Sequence, residues 1–367
     1  MSRNDTLTLG AVGEVRLIEE FLLPLAREYS PATALGDDCT YIETGGPLVA
    51  VTADVGPKPL LNSLPGYEGD LEAAGWLAVV ATASDVATAG ARPLFLTNCV
   101  DAPPELHVND FIAFMRGYFS ASAAFGFQSG GGDVRHGPRL AIRVFGAGVV
   151  EHGKRIGRSG SRPGDHLIVL GVPGRFMATY LLAVKADPEV MCDGKLVGEA
   201  ESILRRPEPQ IQAMIALTSN DLVVAASDTS DGLLGAIDNL ARSGCCGFEL
   251  KLDDSLLPAS VARAATATGL NPWNIFFSWG DWGVAAVVRK ERYAELQDVC
   301  NRYSIQSIRL GHVSGGSREV RAQLGGRLVR VAAVRNENFV SYGFNAGLRG
   351  HLDHMLSTNL FSASEID

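Results

Sequence analysis

Apolar and polar positions along the chain alternate with two periods. In residues 14–27, Val15, Ile18, Phe21, Leu22 and Leu25 fall on one helical face, and Pro24 is expected to kink or shorten that helix. Residues 48–54 form an apolar run that ends in an acid, which predicts a buried strand. Residues 70–90 are Ala-rich with helical spacing, 94–100 and 139–150 read as strands, and 109–125 as a second amphipathic helix. The segment 153–166 breaks this pattern with four Lys or Arg, four Gly and a Pro, so it reads as a linker. Beyond it come predicted strands at 166–171, 222–228, 248–252 and 283–289. Predicted helices follow at 176–186, 209–219, 232–243, 258–268 and 291–303. The expectation is an α/β (α+β) protein of two domains, 1–152 and 153–367, with a polar, frayed tail after Met355.

Composition narrows the function classes. The 367 residues are 46% hydrophobic and 20% charged, which suits a chain that builds cores. A formal charge of −9 argues against a nucleic-acid or anionic-membrane partner. The six cysteines include no C-x-x-C pair, and no apolar run is long enough for a leader or a span. A cytoplasmic protein with reduced thiols is expected. An acidic chain that handles phosphate needs a metal or local cations to offset repulsion.

The familiar nucleotide motifs fail. Gly148–Arg155 has P-loop spacing, but Arg155 stands where a Mg²⁺-binding Ser or Thr is required. More informative are acids at strand ends and in glycine turns: Asp38 after Gly36-Asp37, Asp54 at the end of 48–54, Asp85 in the Ala-rich helix, Asp133 after a glycine triplet, and Asp228 and Asp231 around Thr229-Ser230. Singly, each reads as a cap or turn residue. As a set they suggest carboxylates converging on hard cations that bridge to phosphate oxygens. The residues 129–133 read as a glycine turn, and Ser230 or Asp231 as the N-cap of the helix that follows.

Taken in order, these segments resemble the thiamine-monophosphate kinases, in the superfamily that includes aminoimidazole ribonucleotide synthetase and selenophosphate synthetase. The matching stretches are Gly36-Asp37-Asp38, Thr52-Ala53-Asp54, Ser84-Asp85 through Arg92-Pro93, Gly131-Gly132-Asp133, Arg158-Ser159-Gly160 through Gly164-Asp165, Arg206-Pro207-Glu208-Pro209 and Asp228-Thr229-Ser230-Asp231-Gly232. The resemblance implies an N-terminal mixed-sheet domain that binds ATP and metal and dimerises, and a C-terminal α/β sandwich domain. It implies Mg²⁺ held by Asp38, Thr52, Asp54, Asp85, Asp133, Asp228 and Asp231, with Gly132, Asp133, Arg158 and Ser230 on the nucleotide. Asp54, Asp85 and Asp231 are the residues it places in catalysis.

Three departures concern the acceptor. The family's V-E-G-V-H-F-like stretch, whose His meets the substrate, is here Val55-Gly56-Pro57-Lys58-Pro59-Leu60-Leu61-Asn62. Its G-G-E-D-Y-E-L is here Ser278-Trp279-Gly280-Asp281-Trp282-Gly283-Val284, and its aromatic C-terminal motif is only echoed by Tyr342-Gly343-Phe344-Asn345. The expected function is a Mg-ATP-dependent phosphotransferase, a homodimer acting on a small molecule other than thiamine monophosphate. The alternative is an ATP-dependent ligase or cyclodehydratase that activates an oxygen as its phosphate.

Overall fold

The computed structural model describes residues 8–29, 37–151, 153–335, 337–340 and 347–363. Gly36 and Tyr342-Gly343-Phe344-Asn345, which carry part of the motif pattern, lie outside the described residues. The first sheet has strands β1 (Thr40–Ile42), β2 (Leu48–Val55), β3 (Arg92–Ala102), β4 (Gln128–His136) and β5 (Ala141–Val150). Their spatial order is β1-β2-β5-β3-β4, antiparallel except for the parallel β3–β4 pair. Residues 129–133 are thus strand rather than the expected turn: pairing with β3 satisfies the backbone that three glycines leave without side-chain support.

The helix Leu71–Thr88 explains how the two domains meet. Asp70 caps it by accepting from Ala73 N at 2.9 Å. Nearly every residue after Ala74 is buried, as an Ala-rich helix without a polar face requires. It packs on β2 and β5, on the helix Val108–Ala124, and on the C-terminal helix Ile211–Ser219 and strand Val223–Asp228. At the helix crossing a Cβ on Gly75 or Gly117 would stand 1.9 Å from the carbonyl of Phe114 or Glu72, so only glycine permits this approach.

The second sheet has eight strands, in the order Phe361–Ala363, Arg327–Val331, Val320–Leu324, Gly247–Leu252, Ser307–Ser314, His166–Leu170, Val284–Val288 and Val223–Asp228. One face packs against Arg175–Val184, Leu233–Gly244 and Ala259–Thr268, the other against Ile211–Ser219 and Tyr293–Tyr303. Val284–Val288, buried along its whole length, reads as the continuous apolar run of a sheet covered on both sides. The strands between 307 and 331 escape the periodicity reading because many of their residues are polar and most are only partly covered or exposed, with few fully buried apolar positions to mark a period. The tail after Met355 is not frayed as far as it is described, to residue 363: Phe361–Ala363 pairs with Arg327–Val331. The helix expected at 14–27 contains a π-helical turn, Leu17–Leu22, just before Pro24, whose missing N–H removes one regular helical bond. Among the described residues no helix is long and apolar enough to cross a membrane.

Candidate active site

Three carboxylates from distant parts of the chain meet where the domains touch. Asp38 precedes β1, Asp85 lies near the end of the helix Leu71–Thr88, and Asp228 ends the strand Val223–Asp228. Each offers an oxygen, and these oxygens lie within 4.8 Å of one another. Fixed elements aim them. Thr52 Oγ1, on β2, donates to Asp85 Oδ2 at 2.6 Å, and Ser84 Oγ donates to Asp228 Oδ2 at 2.6 Å. Ser230 Oγ donates to Asp228 Oδ1 at 3.1 Å, and the Asp228 N–H donates to Asp38 Oδ2 at 3.3 Å.

Among the described residues a half-buried cation, Arg158, answers the three acids. The Arg158 guanidinium forms an ion pair with Asp38, whose side chain is only 4% exposed. Arg158 N also donates to Asp37 Oδ1 at 2.9 Å. Burial works against the Arg158 charge, but Asp38, Asp228 and Asp85 outweigh it and raise its pKa. The excess negative charge shows in the acids. Burial, followed by repulsion from Asp38, pushes Asp228 up to about 7. Asp85 goes well above the ordinary carboxylate range through burial and the charges of Asp228, Asp54 and Asp38. Several hard oxygens that repel one another in a buried place form a donor set that suits Mg²⁺, so the residues present fit that ion.

Asp54 and Asp231 face a cleft of about 610 Å³ beside this cluster, with Ser230, Phe176, Trp279 and Trp282 among its walls. Burial pushes Asp54 up to about 6, the Asp231 and Glu14 charges add to this, and a bond from Val55 N at 2.8 Å opposes it. Asp231 pairs with Arg335 at 3.5 Å. Neither Ser230 nor Asp231 caps the helix Leu233–Gly244: Gly232 holds that place at φ +91° with no side-chain cap. Both side chains are thereby left to the site. Lys58, Arg143 and Arg205 bring positive charge to the same cleft.

Gly132 and Asp133 stand apart from the cluster. They lie on edge strand β4, and the Asp133 carboxylate pairs with Arg135. The register Asp54–Val144–Asn98–Gly132 puts three strand spacings between them and Asp54, about 14 Å. The structure adds residues that the motifs did not single out. Ser84 stood in the sequence pattern beside Asp85 without a role. Asp37 carried only its place in a Gly-Asp-Asp run, and nothing local marks Arg335.

Comparison with known proteins agrees with the arrangement. Residues 36–150 match the family described as AIR synthase related protein, N-terminal domain, and residues 162–322 its C-terminal domain. The chain is similar to the thiamine-monophosphate kinase of Halobacterium salinarum, 30% identical over 219 residues that cover 60% of this chain and 70% of the relative. It is equally similar to that of Escherichia coli K12, 30% identical over 234 residues that cover 62% and 67%. The structure of AaThiL complexed with AMPPCP and TMP superposes with a TM-score of 0.70 at 23% identity, covering 88% of this chain and 96% of that one, which establishes a shared fold.

Proposed function

The chain belongs to the AIR synthase related proteins and is a kinase-like enzyme, and on that premise we propose that it moves the γ-phosphate of ATP onto a small-molecule acceptor with Mg²⁺ as cofactor. The observation that carries this reading is the meeting of Asp38, Asp85 and Asp228 beside a cleft that holds Asp54 and Asp231. Asp38, Asp85 and Asp228 would hold Mg²⁺, with Thr52, Ser84 and Ser230 fixing the carboxylates. When bound, the ion supplies charge neutralisation on the phosphates, the main demand of phosphoryl transfer. Asp54, which lines the cleft and whose carboxyl is raised to about 6 by burial, would act as the base toward the acceptor. Asp231, held by Arg335, lines the same cleft. Arg158 keeps positive charge at the phosphate side. We divide the chain at 152/153: residues 1–152 bring Asp38, Asp54 and Asp85 to the metal and nucleotide site, and residues 153–367 complete it with Arg158, Asp228 and Asp231.

We also infer a homodimer. Val51, Ala147 and Phe95 are register partners across β2, β5 and β3, and so are Ala53, Phe145 and Thr97. These rows share the sheet face away from the buried helices, and Phe145 and Phe95 are 41% and 36% exposed there. A second copy of the same face would cover it.

The acceptor side departs from the thiamine-monophosphate kinases at 55–62 and 278–284, which supports a different acceptor. The ligase or cyclodehydratase reading is weaker, since the curated relatives described above are kinases. Measuring ADP and free phosphate together over a panel of acceptors decides: ADP with a stable phosphorylated product is expected, and stoichiometric free phosphate would transfer the assignment to the ligase class.

A further inference from the structure

The wall Trp279-Gly280-Asp281-Trp282 holds a backbone that needs glycine at 280 and that Trp282 disfavours. Gly280 sits at φ +106°, and a Cβ there would lie 2.1 Å from Phe176 Cδ1. Trp282 has φ +50°, a left-handed backbone that a bulky side chain rarely adopts. Among the described residues its Nε1–H is buried and meets no acceptor. Strain of this kind persists only where surrounding structure over-determines it.

The anchor is Asp281. Its Oδ2 accepts from Gly174 N at 2.6 Å and its Oδ1 from Phe176 N at 2.7 Å, across the start of the helix Arg175–Val184. The N-cap position there is Gly174, which has no side chain to cap with, so the Gly174 N–H and the Phe176 N–H of the first turn are satisfied from a residue more than a hundred positions away. The helix dipole favours a negative charge at that end. Burial pushes Asp281 up to about 7, with the two backbone bonds and the nearby Arg175 pulling down. The same bonds bring Phe176 against Trp279, with ring centroids 6.1 Å apart, and all three aromatic residues line the cleft beside Asp54.

We propose that Asp281 is a positioning residue: its carboxylate clamps the two-tryptophan wall of the acceptor cleft onto the start of the helix Arg175–Val184, and so sets the shape that selects the acceptor. This rests on the phosphotransfer reading only for calling the cleft the acceptor's; the clamp itself rests on the two hydrogen bonds.

The test is ¹⁹F NMR of the full chain labelled with 5-fluorotryptophan. Its four resonances, from Trp76, Trp273, Trp279 and Trp282, are assigned by single Trp→Phe variants. Asp281→Asn is expected to shift or broaden the Trp279 and Trp282 lines while leaving Trp76 and Trp273 in place, with Mg-ATP affinity within about twofold of the parent by calorimetry. Gly280→Ala keeps the carboxylate but pushes on Phe176, and it should move the same two lines. Four unmoved lines in folded Asp281→Asn overturn the clamp. So does movement of all four together, or a loss of folding in Asp281→Asn while Gly280→Ala leaves the Trp279 and Trp282 lines unmoved. Failure of the parent to bind Mg-ATP would sink the phosphotransfer reading while leaving the NMR result on the clamp standing.

Discussion

Ser84 Oγ and Asp228 Oδ2, 144 positions apart, share a 2.6 Å hydrogen bond that ties the buried helix Leu71–Thr88 of one domain to the strand Val223–Asp228 of the other. The hydroxyl orients a carboxylate of the candidate metal cluster and partly offsets its burial. Ser84→Ala removes one donor from a buried charged group, a loss on the order of 1.5–3 kcal/mol. Mg-ATP affinity, read by calorimetry, should therefore fall by at least about tenfold while the fold is kept. Unchanged affinity would mean that Asp228 is not oriented for a ligand.

Asp54→Asn keeps the shape of the cleft and removes a charge that burial and Asp231 already disfavour. Turnover per folded molecule is expected to drop by about 10²–10⁴-fold. The melting temperature of the metal-free protein should hold or rise, because carboxylate repulsion is relieved. A fall in melting temperature with turnover intact would make Asp54 a structural residue.

The pH dependence of stability has a definite sign. Asp228 and Asp54 sit near 7 and 6 in the folded protein against a usual value of 3.8, so the metal-free fold binds protons more tightly than the unfolded chain. Its stability must fall as pH rises from about 4 to about 7. Mg²⁺ competes with those protons and needs the ionised carboxylates. Added MgCl₂ should raise the melting temperature more at pH 8 than at pH 5.5, and EDTA should abolish most ATP binding. A metal effect equal at both pH values would argue against binding at this cluster.

Ala147 lies between Val51 and Phe95 on the open face of the first sheet. Ala147→Glu places a charge in the middle of the surface inferred to pair with a second copy. Sedimentation should show a dimer for the parent and a monomer of half the mass for the variant. A monomeric parent at micromolar concentration would remove the dimer.

Thiamine monophosphate should be phosphorylated poorly. Pro57 and Pro59 fix φ in the stretch 55–62, from which the family's substrate-facing His is missing, and Trp279 and Trp282 line the same cleft. Steady-state kinetics with thiamine monophosphate and Mg-ATP measure this directly; efficient turnover would restore the family's own acceptor.

Local pattern determined a good deal by itself. Helical spacing over 70–90 and the apolar runs at 48–54 and 222–228 mark elements that the fold contains as Leu71–Thr88, Leu48–Val55 and Val223–Asp228, because period and burial are properties of neighbouring residues. The order of Asp38, Asp85 and Asp228 among glycines and serines carried the family resemblance. Only the tertiary structure could decide which of those acids meet. Asp38, Asp85 and Asp228 converge because the helix Leu71–Thr88 is buried on all sides between two sheets, a placement that its uniform apolarity leaves undirected. Asp133, spaced just as plausibly, sits on an edge strand three strands from Asp54, since parallel pairing with β3 turned a glycine run into strand. The clamp of Asp281 on the helix Arg175–Val184 had no local signal either: a carboxylate can cap a helix more than a hundred residues away, and only the path of the chain brings the two together.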